Sequence, residues 1–266
     1  LLRQVLPLAL ESNPVDGFVA DPVGDLASSR GRGILHKYHG RALLITTGAC
    51  AIHCRYCFRR EFDYAAGQIT PASLDQAIGY IASNPDIREV ILSGGDPWML
   101  DTERLQRLTD ALKPLDHVIR LRIHTRMPIT LPDRVDDRLI DWISALPWQI
   151  VVVVHANHAH EFDLRVGGAI ARLRATGAVV FNQAVLLAGI NDSAPALAEL
   201  MEAGFRAGVI PYYLHLLDRV HGSAHFEVSE ARATELMDQL RRSLPGFLVP
   251  RLVREQAGTP YKLPIF

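Results

Sequence analysis

The chain has 266 residues, 48% apolar and 21% charged, with 28 basic against 29 acidic side chains and a net charge of −1. That balance excludes a disordered chain and disfavours a broad nucleic-acid or anionic-membrane footprint. The length allows one large α/β domain or two small ones, with a sizeable core.

The first segment, Leu1–Leu10, is broken by Arg3, Gln4 and Pro7 and does not read as a secretion signal. The sequence begins with Leu, so the expectation is that a native start lies upstream. Val19–Arg32, rich in Gly, Ser, Asp and Pro, reads as a loop. Residues 1–34 are therefore expected to form an extension packed on a domain spanning 35–266. No apolar run approaches the roughly 18 residues of a membrane span, and Ile150–Val154 suits a buried strand.

From Arg41 a repeating rhythm sets in. Strands are expected at Ala42–Thr47, Glu89–Leu92, Val118–Ile123, Gln149–His155, Ala178–Val185 and Val209–Leu214. Helices are expected at Pro71–Ser83, Asp101–Leu112, Asp136–Ala145, Glu161–Thr176, Ala194–Ala207 and Ser229–Leu244. Strands alternating with helices mean βα units and a parallel sheet. The strands read as nearly continuously apolar, as when both faces are covered. Doubly wound sheet and full or partial barrel both remain open, and no linker divides the chain. In either architecture ligands gather beyond the carboxyl ends of the strands. Those ends carry Gly48–Cys57, Ser93–Pro97, His124–Arg126, His155–His158, Leu186–Asp192 and His215–Asp218, where polar and glycine residues concentrate.

The first of these ends holds all three cysteines, Cys50, Cys54 and Cys57, spaced C-x₃-C-x₂-C. An odd number in so short a run is a poor disulfide framework and fits a reducing cytoplasm. Three thiolates can ligate three corners of a [4Fe–4S] cube and leave one iron open for a substrate or cofactor. Arg55, Arg59 and Arg60 would favour the thiolates. Two other readings stand beside this one: ordinary buried thiols, and a structural zinc with His53 as fourth ligand.

With Tyr56 ahead of the third cysteine, the motif resembles the radical S-adenosylmethionine (SAM) superfamily. The resemblance implies a (β/α)6 partial, TIM-like barrel, a [4Fe–4S] cluster on Cys50, Cys54 and Cys57, and SAM chelating the open iron. Tyr56 would lie against the adenine. Ser93-Gly94-Gly95-Asp96-Pro97 resembles the superfamily's glycine-rich motif for the methionine amino group. Gln183 matches a residue near the SAM carboxylate. His155, in a polar block with Asn157, His158 and His160, would line the same site.

The resemblance narrows to the lysine 2,3-aminomutases. It runs from about Leu35 to Lys262 and rests on Cys57–Phe62, Ser93–Pro97, Arg122–Pro128, Asn182–Leu187 and Pro211–Tyr213. Pro211–Asp218 and Ala224–Phe226 resemble the short bacterial branch that makes (R)-β-lysine for elongation factor P. The family implies pyridoxal 5′-phosphate (PLP) on a lysine near the C-terminus, here Lys262. Leu263 departs from the family's usual Thr, and the nearby glycine run is reduced. Lys37, Tyr38 and Arg41 match the segment that grips the cofactor phosphate, with Lys37 where the family often has Arg. Arg59 matches the arginine for the substrate carboxylate. Asp218 and Glu255 match the two carboxylates that meet a substrate ammonium, Glu255 being longer than the usual residue.

These matches imply an isomerase acting on free L-lysine, served by an external electron donor. They imply no nucleic acid and no membrane as partners, and they allow a homo-oligomer. They link the product to elongation factor P through a separate lysyl ligase. The zinc-binding C-terminal extension of the longer family members is expected to be absent. The rivals are a radical aminomutase for arginine or glutamate, and a non-catalytic iron–sulfur or zinc module.

Overall fold

The computed structural model describes all 266 residues. Nine strands form one sheet in sequential order: β1 Ile34–Tyr38, β2 Arg41–Thr47, β3 Glu89–Gly94, β4 Arg120–Thr125, β5 Gln149–Val154, β6 Val179–Val185, β7 Ile210–His215, β8 Arg251–Arg254 and β9 Leu263–Pro264. Strands β2 to β8 run parallel, and β1 and β9 pair antiparallel at the two edges. Six helices, Pro71–Ala82, Thr102–Leu112, Asp137–Ser144, Leu164–Ala175, Ala194–Arg206 and Glu230–Ser243, connect the parallel strands in turn. The result is a (β/α)6 partial barrel, left open between β1 and β9.

The six main strands and six helices lie where the sequence rhythm puts them, within one to three residues at each end. Helix starts shift by one where the polar residue read as the first helical position is the cap. The carboxylates of Asp101 and Asp136 and the hydroxyl of Ser229 each accept a backbone N–H three residues on, ahead of the helix; the helix expected from Glu161 starts three residues later, capped by Asp163. Three strands are additional. β1, β8 and β9 are short edge or penultimate strands whose mixed polarity gives no apolar run.

One expectation about the strands is overturned. β5, with Ile150–Val154, is apolar on both faces; most of the others are not. The outward residues Leu44, Val90, Leu92, Leu121, Ile123, Val152 and Val180 are fully or almost fully buried under the helices. Each such side chain contributes about 1.5–3 kcal/mol through burial. The inward residues alternate with them and are largely polar: Arg41 on β2, Glu89 and Ser93 on β3, Arg120, Arg122 and His124 on β4, Gln183 on β6, Tyr213 and His215 on β7. Leu43, Ile91, Val151, Phe181 and Val185 also face inward, so the sheet curls round a site whose wall is mixed and not a second packed layer.

Residues before β1 form turns and short 3-10 segments, and they are tied to the barrel at definite points. Val19 pairs with Val220 in an isolated parallel bridge. Gln4 is 1% exposed, and its carbonyl accepts the Arg55 N–H at 2.7 Å. Glu11 pairs with Arg55 and Arg60 of the cysteine loop. No helix is long and apolar enough to cross a membrane.

Candidate active site

The barrel encloses a cavity of about 580 Å³, within the usual range for small-molecule sites. The residues assigned to the cluster, SAM, PLP and the substrate line it: Cys50, Cys54, Tyr56 and Cys57; Ser93, Gly94, Gly95 and Asp96; His155 and Gln183; Lys37, Tyr38, Arg41, Arg59, Asp218, Glu255 and Lys262; His53, Arg55, Arg60, Asn157, His158 and His160 do not. The lining residues divide into two groups.

The first group gathers beyond the carboxyl ends of β2 and β3. The three cysteines are free thiols on one loop. All three line the cavity, whereas His53, the fourth ligand of the zinc reading, is exposed and does not. Three thiolates facing a cavity fit three corners of a cube with one open iron.

Expectations for the loop's electrostatics need correcting. Burial, then Asp96 and the other cysteines, push the Cys50 thiol up to about 12. Burial also raises Cys57, and the nearby Arg59 and Arg60 only partly offset it. Arg55 and Arg60 are committed to Glu11, and Arg59 to Asp25. Thiolates here depend on the metal itself. The one arginine that reaches a sulfur is Arg126, whose Nη1 donates to Cys54 Sγ at 2.8 Å and to the Tyr56 hydroxyl at 3.2 Å. Glu161 and Gln4 hold its Nη2 at 2.5 and 3.2 Å.

The glycine loop is fixed by close backbone approach. Gly95 N–H donates to the Thr47 carbonyl and Asp96 N–H to the Ala49 carbonyl, at 2.7 and 2.8 Å. A Cβ at Gly95 would stand 2.4 Å from the Ala49 carbonyl oxygen; at Gly94, with φ of +120°, it would stand 2.7 Å from that of Thr47. Both positions need glycine because the loop lies against the cysteine loop. The Gly94 carbonyl accepts the Tyr64 hydroxyl at 2.9 Å.

Asp96 turns out to brace the architecture. Its oxygens accept Thr125 Oγ1, the Trp98 N–H, the Arg126 N–H and the Met127 N–H, at 2.6 to 3.2 Å. Both oxygens are already occupied, so it ties the β3 end to the β4 end. Asn157, from the polar block after β5, holds the Tyr56 hydroxyl at 2.6 Å and the Val185 N–H at 2.8 Å. His155 Nε2 and His124 Nδ1 are hydrogen-bonded across 3.3 Å. Burial, then the Arg126 charge, pushes His155 down to about 3, so it is a neutral hydrogen-bonding wall.

The second group is a chain of alternating charges across the open side of the barrel. Arg59 Nε meets Asp25 Oδ2 at 2.6 Å, and Asp25 Oδ1 meets Lys37 Nζ at 2.9 Å. Lys37 Nζ meets Glu255 Oε1 at 2.9 Å, and Glu255 Oε2 meets Lys262 Nζ at 2.6 Å. The link from Lys37 on β1 to Glu255 just after β8 spans the gap between the two sheet edges. Burial would raise the Glu255 carboxyl, but Lys262 and Lys37 outweigh it and keep the group ionised.

This chain changes two expectations, for Lys37 and for Glu255. Lys37 does not point its ammonium toward a free phosphate site; two carboxylates hold it. Both Glu255 oxygens are engaged by lysines before any substrate arrives. Antiparallel pairing of β9 with β8 turns the Lys262 ammonium inward, beside Glu255 and 3.4 Å from His215 Nε2.

Other groups lack partners. Asp218 makes no ion pair or side-chain hydrogen bond; burial, then the Glu255 charge, pushes it up to about 7. Arg41 has no carboxylate partner and lies 4.7 Å over the Tyr38 ring. The Tyr38 hydroxyl, Arg122 Nε and Gln183 Oε1 are buried without hydrogen-bond partners. Buried polar atoms are rarely left so. A cationic and hydroxyl-bearing corner beside an inward lysine fits an anionic cofactor with a reactive carbonyl.

Sequence reasoning did not single out Asp25, which sits in a stretch that reads only as loop. Arg122, His124 and Arg126 were quoted without roles. The signal for them was the period-two polarity of Arg120, Arg122 and His124, which marks one strand face.

The comparisons with known proteins bear on this site. Residues 44–201 match the radical SAM superfamily. Over 265 residues the chain is 46% identical to the L-lysine 2,3-aminomutase of Escherichia coli (strain K12), covering 100% of this chain and 77% of that protein. The chain belongs to the lysine 2,3-aminomutase family of radical SAM enzymes. By that family it is an isomerase, and the superfamily implies SAM and a [4Fe–4S] cluster. It is also 41% identical to the L-lysine 2,3-aminomutase of Haemophilus influenzae, over 98% of this chain and 78% of that one. For Clostridium subterminale the figure is 32%, over 99% of this chain and 63% of that one. SuiB of Streptococcus suis, solved with SAM bound, superposes with a TM-score of 0.60 at 15% identity, over 84% of this chain and 52% of that one. At that identity the likeness is one of fold.

Proposed function

We propose that the chain is a PLP-dependent radical SAM aminomutase that converts L-lysine to (R)-β-lysine. The observation that carries this is a single cavity bearing three free cysteines at one end and, at the other, an inward Lys262 beside an unpaired Asp218. Bound there, the cluster and SAM supply a carbon radical that removes hydrogen from the substrate, and PLP carries the amino group as it moves.

The chain's own residues bind, orient and shield. Cys50, Cys54 and Cys57 hold the cluster, while the Ser93–Asp96 loop, Tyr56, His155 and Gln183 bound the SAM space. Lys262 is the covalent anchor for PLP, with Arg41, Tyr38 and Arg122 toward its phosphate. Arg59 takes the substrate carboxylate and Asp218 its side-chain ammonium. Asp218 lines the cavity with no ion pair or side-chain hydrogen bond of its own, so it is free to meet a cationic side chain, where a glutamate carboxylate would meet a second buried acid. An ammonium beside Asp218 would also draw its carboxyl back below 7.

The setting follows from the same reading. A cytoplasmic compartment suits oxygen-sensitive chemistry with free thiols, and an external donor must reduce the cluster. The likeness of Pro211–Asp218 and Ala224–Phe226 to the short bacterial branch supports delivery of β-lysine to elongation factor P.

The test is an anaerobic assay after cluster reconstitution, with SAM, PLP, dithionite and equimolar lysine, arginine and glutamate, read by chiral mass spectrometry. The expected product is (R)-β-lysine alone. β-Arginine or β-glutamate would overturn the role given to Asp218. SAM cleavage without any β-isomer would overturn the aminomutase reading.

A further inference from the structure

Asp25 has no place in the scheme above, yet it is among the most constrained charges in the molecule. It is 2% exposed and comes from the loop before β1. Its own N–H and that of Leu26 donate to the two Asp21 oxygens, at 2.9 and 3.0 Å, so the turn that presents it is pinned. Burial would raise its carboxyl, but the charges of Arg59 and Lys37 prevail and hold it below the ordinary value.

We propose that Asp25 is a positioning residue that aims Arg59 at the substrate carboxylate. This rests on the role given to Arg59 above. Asp25 takes Arg59 by Nε, the rear edge of the guanidinium, at 2.6 Å. The Phe58 ring lies under the same plane, 4.6 Å from Cζ. Arg59 Nη1 reaches Ser93 Oγ at 3.3 Å, and Nη2 has no protein partner. The rear is clamped and the Nη1–Nη2 edge is left for a planar carboxylate, which an arginine fork grips with two parallel hydrogen bonds. Glu255 and Asp218 line the same cavity and would compete for a loose guanidinium. Asp25 occupies Arg59 where this does no harm and, through Lys37, keeps one Glu255 oxygen engaged as well. Both its carboxylate oxygens are taken, Oδ2 by Arg59 and Oδ1 by Lys37, so it acts through the residues it holds.

The experiment uses the PLP-loaded enzyme without reductant and follows the visible absorption of the bound cofactor as an amine is added. L-Lysine is compared with 1,5-diaminopentane, which lacks only the carboxylate. The wild type should bind L-lysine more tightly. Asp25→Asn should weaken L-lysine about tenfold or more while moving diaminopentane by about twofold or less, an order of magnitude suited to one misaligned charge-assisted contact. Equal weakening of both amines, or of neither, would overturn the proposal, since a purely structural role cannot distinguish them. If Asp25→Asn does not fold by circular dichroism, Asp25→Glu keeps the charge on a longer arm. It should show a smaller loss confined to L-lysine, and an equal loss for both amines would again overturn it. A wild type whose cofactor band responds to neither amine would instead sink the PLP reading on which the proposal stands.

Discussion

The two ends of the cavity are built in different ways. The cysteine end is local: three thiols within eight residues, braced by a glycine loop that touches them through the backbone. The lysine end is assembled: Asp25, Lys37, Arg59, Glu255 and Lys262 come from four distant stretches and meet only because β1 and β8 approach across the open side of the barrel. A local motif keeps its chemistry in any context that presents the loop. An assembled one depends on every strand that carries a member, and each charge is spoken for by another. The two ends should therefore fail separately.

The largest effects test that separation. Cys54→Ala should abolish SAM cleavage and turnover, with activity down at least ~10³-fold, while cofactor loading on Lys262 is preserved. Lys262→Ala should do the reverse. The covalent cofactor band should vanish and β-lysine formation should fall at least ~10³-fold, while cluster content stays at the wild-type level. Spectra and iron analysis of both variants check the pair; loss of both groups in either variant would break the comparison.

A smaller effect sharpens the assembled end. Asp218→Asn should lower kcat/KM for lysine by about 10²-fold, as expected when a desolvated charge pair loses one partner. Asp218 also sets a pH limb. Its carboxyl is pushed up to about 7, so it is protonated below that pH and charged above it. Lysine kcat/KM should therefore rise as pH increases through about 7, and Asp218→Asn should flatten that rise. Stability runs the other way. A carboxyl with a raised folded-state pKa contributes stability at low pH and loses it as pH climbs through the folded value. In substrate-free protein, Asp218→Asn should thus raise the melting temperature more at pH 8 than at pH 6, as scanning calorimetry would read.

The smallest effect separates two basic residues that the sequence groups together. Arg41→Met should weaken PLP binding by about tenfold, because its guanidinium is unpaired and free to meet a phosphate. Lys37→Met should weaken it less, since two carboxylates already hold its ammonium. A larger loss at Lys37 would return it to the phosphate.

The βα rhythm is legible along the chain, because strands and helices bury one face each and leave a periodic trace. So are the cysteine loop and the Ser93–Asp96 loop, whose residues are neighbours in the chain. The sequence marked Lys262 and Asp218 through resemblance to a family, where position alone reads as a tail lysine and a surface acid. Which charges remain available is settled by folding alone. Lys37, Arg59 and Glu255 carry the right chemistry, but their partners lie up to 218 residues away, and no local pattern records a contact at that separation. Asp25 shows the limit most plainly. A lone aspartate in a polar loop has no period, motif or apolar frame, and it acquires a role only where folding buries it between Arg59 and Lys37. The inner face of the barrel follows the same rule: alternation shows that β4 has two faces, but only curling the sheet decides that the polar face looks inward.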